Sequence, residues 1–62
     1  MNVKEIIPNL NEPVVYDGRT YTLTGSIIRK DSKGNLYYQA EILDKNKNSI
    51  CIVRLEEIKC PE

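Results

Sequence analysis

Histidine is absent from this 62-residue chain. That removes the side chain that most often serves as general base, proton shuttle or metal ligand near neutral pH. An excess of charge is missing too: Lys and Arg total 9, and Asp and Glu total 9. A balanced chain has no general attraction for polyanions, so a grip on nucleic acid led by phosphate contacts is disfavoured. No apolar run approaches the length that spans a bilayer. The N-terminal MNVKEII is too short and too charged for an export signal, so a cytoplasmic protein is expected, with no membrane partner. The wealth of Lys, Asn and Ile suggests a bacterial or phage source. Cysteine is limited to Cys51 and Cys60, whose spacing does not fit a paired-ligand zinc pattern. Cys51 is expected to be a buried apolar thiol, and Cys60 one held loosely near the C-terminus, with its redox state open.

Three glycines stand singly at Gly18, Gly25 and Gly34, and none opens a helix as a phosphate-binding loop would. The other candidates for chemistry are carboxylates. Asp17, Asp31 and Asp44 all fall in or beside turn sequences, where Asp is favoured for bonding the local backbone. Glu56 and Glu57 fit the solvated side of a last turn. No cofactor, metal, catalytic residue or small-molecule substrate is expected, and the chain is not read as an enzyme.

At this length there is room for one domain, residues 1–62, and one core. In the segment 1–10, Val3, Ile6, Ile7 and Leu10 keep helical spacing, and Asn2 with Glu5 forms a capping-box pattern. Pro8 lacks an amide proton and disfavours helical geometry before it, so one turn ending near Ile7 is predicted. The remainder, 13–60, has strand chemistry. PVVYD ends at Asp17-Gly18, a hairpin signal, and RTYTLTGSIIRKD follows as one long strand. DSKGN is the next turn. Pairing Asp31 with Asn35 places Ile28 opposite Tyr38 and Ser26 opposite Ala40. Tyr21 and Leu23 join the same face only if a residue is absorbed between them and Ile28, which predicts a bulge at Gly25-Ser26. With Asn46-Lys47 as a two-residue loop, Ile42 lies opposite Cys51, Ala40 opposite Val53 and Tyr38 opposite Leu55. RLEEIKC suggests a strand running into one helical or 3₁₀ turn, then a short terminal strand near Lys59 and Cys60.

The predicted core is Val15, Tyr21, Leu23, Ile28, Leu36, Tyr38, Ala40, Ile42, Cys51, Val53, Leu55 and Ile58. In element order the chain resembles the small SH3-like barrels. The fold class expected is therefore mainly β: a small antiparallel SH3-like barrel of four to five strands. It would have a bent second strand, a short N-terminal helical turn and a one-turn helix near the C-terminus. An open four-stranded sheet covered by the N-terminal turn is the competing architecture.

The same register leaves Ile27, Tyr37, Leu43, Ile50 and Ile52 on the face away from the core, with Arg29, Gln39 and Arg54 among them. A cluster of this kind is on the scale of a binding patch. Three covers are compatible with it: the N-terminal turn, a second copy of the chain, or another protein anchored by Tyr37, Arg29 and Arg54. The expected role is a non-enzymatic adaptor or inhibitor acting through protein–protein contact, of a kind carried by phages or mobile elements. The alternative is a nucleic-acid-binding small barrel that stacks bases on the row Arg29–Tyr37 and Gln39–Arg54. Lys33 sits on one hairpin tip and Lys45 and Lys47 on the opposite one, so these residues make no single basic stripe.

Overall fold

A computed structural model describes residues 1–61; Glu62 lies outside the described residues. The chain is mainly β, with four antiparallel strands in one sheet ordered β1-β2-β3-β4. The strands are β1 (Pro13–Tyr16), β2 (Arg19–Lys30), β3 (Leu36–Asp44) and β4 (Ser49–Arg54). A 3₁₀ turn over Val3–Glu5 runs into a one-turn helix, α1 (Ile6–Asn9), and a second 3₁₀ turn covers Leu55–Glu57.

Each hairpin follows from its turn chemistry. Asp17 and Gly18 both take positive φ (50° and 76°), the geometry of a two-residue turn, and close Tyr16 onto Arg19. In the second turn Asp31 Oδ1 accepts the amides of Lys33 and Asn35, each at 2.9 Å, while Gly34 supplies φ of 86°. In the third, Asp44 Oδ1 accepts the amides of Asn46 (3.0 Å) and Lys47 (3.3 Å). Residues Lys45 to Asn48 leave the ladder there, so the loop has four residues and not the expected two, because the amides of Asn46 and Lys47 turn in to Asp44 Oδ1. The register beyond it is the expected one as far as Gln39 and Arg54, with Ile42 opposite Cys51 and Ala40 opposite Val53. The expected Tyr38–Leu55 pair does not form, because Leu55 turns out of the strand into the second 3₁₀ turn.

The β2–β3 ladder slips by one residue between Leu23 and Gly25, so the bulge falls at Thr24, just before the expected position. The Thr24 hydroxyl donates to the carbonyl of Glu41 (3.1 Å) and to its Oε2 (2.8 Å). On either side of the slip, Leu23 and Ile28 return to one face.

The core is Val14, Leu23, Ala40, Ile42, Leu55 and Ile58, all buried. Tyr16, Tyr21, Tyr38, Cys51 and Val53 are partly buried against it, and Tyr16 and Tyr21 meet edge to face at 6.1 Å. Val14 stands where Val15 was expected. Closing the first hairpin at Tyr16–Arg19 puts Val14 opposite Tyr21 and leaves Val15 opposite Thr20 on the other face. Ile28 and Leu36 occupy the predicted face but are 67% and 60% exposed. The reason is strand length. β2 has 12 residues and β3 has 9, against 4 in β1 and 6 in β4, so the β2–β3 hairpin projects beyond its neighbours as an arm. The molecule measures 37 × 22 × 18 Å.

The sheet is not closed. β1 is touched at its outer edge by a single bridge, in which Val15 and Lys59 exchange amide–carbonyl bonds of 2.8 and 2.9 Å. The N-terminal turn lies on the core side of the sheet, where Met1 and Ile6 pack, and the Met1 ammonium donates to the carbonyl of Ile58. Its helix runs through Pro8 to Asn9, two residues past the predicted end. A proline within the first turn of α1 gives up an amide that has no helical partner there. Glu5 closes on the amide of Asn2 at 2.9 Å, one half of the capping box.

A domain of this size is stabilised by roughly 3–9 kcal/mol in total. Leu23→Ala should remove about 2–5 kcal/mol and bring the fold close to unfolding, whereas Ile28→Ala should cost less than ~1 kcal/mol. Urea titrations of the two variants check this. Equal losses would contradict the account of the arm.

Candidate interaction surface

The register arranges the outer face in rows across the strands. Nearest the arm, Arg29 stands opposite Tyr37. The next row is Ile27–Gln39–Arg54, then Gly25–Glu41–Ile52, then Thr22–Leu43–Ile50. All eight residues expected on this surface are therefore on one face. The structure does not gather their apolar members into one patch. Gln39 and Glu41 occupy the middle of β3 and separate Tyr37 from the trio Leu43, Ile50 and Ile52. That trio borders β4, the sheet's free edge. Ile50 is 58% exposed, Ile52 45% and Tyr37 42%, while Ile27 and Leu43 are half-buried.

Of the three covers considered, the N-terminal turn is excluded, because it packs on the opposite face. Of Val3, Ile6, Ile7 and Leu10, only Ile6 packs against the core; Ile7 is 81% exposed, and Val3 and Leu10 are exposed as well. Backbone bonds explain the choice. Asn11 donates to the carbonyl of Leu23 (2.6 Å), and Leu23 donates to that of Glu12 (3.1 Å), so the chain following α1 is tied to β2 beside the core.

The polar groups of the face are already engaged. Arg29 Nε donates to Gln39 Oε1. Arg54 pairs with Glu56 at 3.6 Å, both side chains about three-quarters exposed, an arrangement that contributes little to stability. Glu41 is the residue that sequence reasoning missed. Its place opposite the bulge lets Thr24 hold its carboxylate, and a Cβ on Gly25 would lie 3.4 Å from its Oε2. A carboxylate on the outer face of β3, between Gln39 and Leu43 and opposite the glycine of the expected bulge, is the signal that was available. Thr24→Val should cost about 1 kcal/mol by loss of this hydrogen bond, measured by the urea midpoint, with the fold intact by circular dichroism.

A second exposed apolar region lies on the core side, where the arm outruns the core. Leu36 and Tyr38 face Met1 and Val3 across an open groove of about 360 Å³ that Arg54 and Leu55 also border. Both cysteines are free thiols: Cys51 half-buried on the inner face of β4, Cys60 exposed. Cys60 Sγ donates to Glu5 Oε2 at 3.5 Å. Burial, and then this carboxylate, push the Cys60 thiol above its ordinary value, which makes it a poor nucleophile at neutral pH. Burial, followed by the charges of Glu57 and Asp17, raises Tyr16. Among the described residues no cluster of His, Cys, Asp and Glu is arranged to hold a metal, and no helix is long and apolar enough to cross a membrane. The chain matches no protein-family model, no curated protein and no solved structure.

Two carboxylates are held below their ordinary values by backbone amides. Asp31 is lowered chiefly by the amide of Asn35, and Glu5 by the amide of Asn2 and then by the Cys60 thiol. Their contribution to stability is complete above the ordinary values of 3.8 and 4.5 and is lost as pH falls through the lowered folded values. Stability should therefore decline below pH 4.5, and Glu5→Gln together with Asp31→Asn should flatten that decline. Thermal melts from pH 7 down to pH 2 check it, and an unchanged slope in the double variant would contradict it.

Proposed function

We propose that this chain is a small non-enzymatic binding module acting in the cytoplasm through protein–protein contact, with the outer sheet face as its docking surface. The observation that carries the reading is the trio Leu43, Ile50 and Ile52 beside a free edge, left uncovered because the N-terminal turn is spent on the core. Covering apolar surface is favourable by about 25 cal/mol per Å², so a few hundred Å² is worth several kcal/mol. Tyr37, Arg29 and Arg54 at the other end of the face are of the residue types that anchor interfaces. The reading as a non-enzyme is supported by the absence of His and by the employment of Asp31 and Asp44 in turns.

An SH3-like arrangement is the finer form of the fold reading. What supports it is the bulged β2, the 3₁₀ turn after β4, and the return of Lys59 to the edge of β1. A compact adaptor or inhibitor of phage or mobile-element origin fits the size of the domain. Base stacking on the row Arg29–Tyr37 and Gln39–Arg54 is the second reading. It is weakened by the engagement of Arg29 with Gln39 and of Arg54 with Glu56.

Capture from a lysate of producing cells, compared between the wild type and Leu43→Lys, tests the first reading. A partner retained by the wild type and by Lys33→Glu at the arm tip, but lost from Leu43→Lys, is the expected outcome. Capture unaffected by Leu43→Lys would exclude this face. The stacking reading predicts that a fluorescent single-stranded oligonucleotide binds at low salt and is released as salt rises; no binding at low salt removes it.

A further inference from the structure

The two edges of the sheet are treated differently, and the difference points to an occupant for one of them. β1 is protected in the ways edges usually are: it is four residues long, it begins with Pro13, and Val15 is bridged by Lys59. β4 has none of these devices. It runs six residues, pairs with β3 in an unbroken register, and carries no proline and no bulge. Its only charge is Arg54, at the end. Among the described residues, no backbone bond from Ser49–Val53 to anything beyond β3 is seen. Backbone donors and acceptors along such an edge form a template for another strand.

We infer that β4 pairs antiparallel with β4 of a second copy of this chain, joining two four-stranded sheets into one of eight strands. The inference stands on the backbone edge of β4, and so goes beyond the docking reading, which stands on side chains of the face. A two-fold axis normal to the sheet keeps outer residues opposite outer residues, since directly paired side chains share a face. With the axis at Cys51, Ile50 of each copy lies opposite Ile52 of the other, Ser49 lies opposite Val53, and the two Cys51 residues face each other. Every such pair is uncharged, and a net charge of zero adds no repulsion between copies. The two apolar trios become neighbours across the new junction. The pairing also closes, because it uses the one unguarded edge and leaves the guarded β1 edges outermost.

A six-residue edge is only about 20 Å long and ~10 Å tall. That falls well short of the ~800 Å² per partner of a standard interface, so the dimer is reversible. Sedimentation of the wild type should show a mass rising with concentration from 7.1 kDa toward twice that value. Amide exchange on the same samples should show alternate β4 amides, those directed away from β3, slowing about tenfold or more as the dimer fills. Ile50→Glu/Ile52→Glu should be monomeric, because it sets like charges opposite each other across the junction. Ile50→Lys/Ile52→Lys should be monomeric as well, and an equimolar mixture of the two should recover a dimer. All four substitutions are at exposed positions, and circular dichroism verifies the fold. A wild type that remains monomeric at about 0.5 mM overturns the inference, as does a dimer whose alternate β4 amides stay fast or a charge-reversed mixture that fails to associate. Loss of partner capture in Leu43→Lys leaves these readouts unmoved, so failure here is distinct from failure of the docking reading.

Discussion

The extra residue at Thr24 is the constraint on which the rest of the molecule depends. β2 is one continuous strand of twelve residues, and its side chains alternate from face to face. Without the slip, Leu23 and Ile28 would point to opposite sides of the sheet, and the half of β2 that pairs with β1 would present its polar threonines to the core. The bulge restores the parity, and the hydroxyl of Thr24 answers the Glu41 carbonyl where the ladder is interrupted. With the parity set, Val14, Leu23, Ala40 and Ile42 lie on one face, where the second 3₁₀ turn and Ile58 cover them.

Strand length then decides where burial ends. The residues at the centre of the sheet lie under cover; those on the arm alternate correctly but have no layer above them. Ile28 and Leu36 are thus inward-facing without being interior. β4, last in the order and paired only with β3, is an edge along its whole length. On the other side, β1 is too short to leave much edge, and the C-terminal segment reaches back to it at Lys59. One sheet therefore carries a guarded margin and an open one, and the apolar trio sits beside the open one.

The N-terminal turn shows how weak a helical pattern is as evidence of burial. Val3, Ile6, Ile7 and Leu10 keep helical spacing, yet one short turn can lay only a narrow stripe on a surface, and Ile6 alone contributes to the core. What places the turn is main-chain bonding at its two ends: the Met1 ammonium to Ile58, and Asn11 and Glu12 to Leu23. By docking on the core it leaves the outer face of the sheet to solvent.

Much of this was legible in the amino-acid sequence, because turns and strand alternation are local. Asp17-Gly18, the Asp31 to Asn35 turn and the Asp44 loop have backbone geometries that their residues prefer, and each turn dictates the register of the strands it joins. The pairing of Ile42 with Cys51, the division into two faces and the need for a bulge near Gly25 all follow from those turns. The eight residues expected on the outer surface share it for the same reason. What the local pattern could not decide was what lies over each face, since that depends on contacts between segments distant in the chain. Val14 rather than Val15 also follows from the two-residue Asp17-Gly18 turn, whereas the exposure of Ile28 and Leu36, the placement of the N-terminal turn and the open margin of β4 were settled only in three dimensions. There, unequal strand lengths and a few long-range hydrogen bonds determined which of the correctly oriented side chains had anything to pack against.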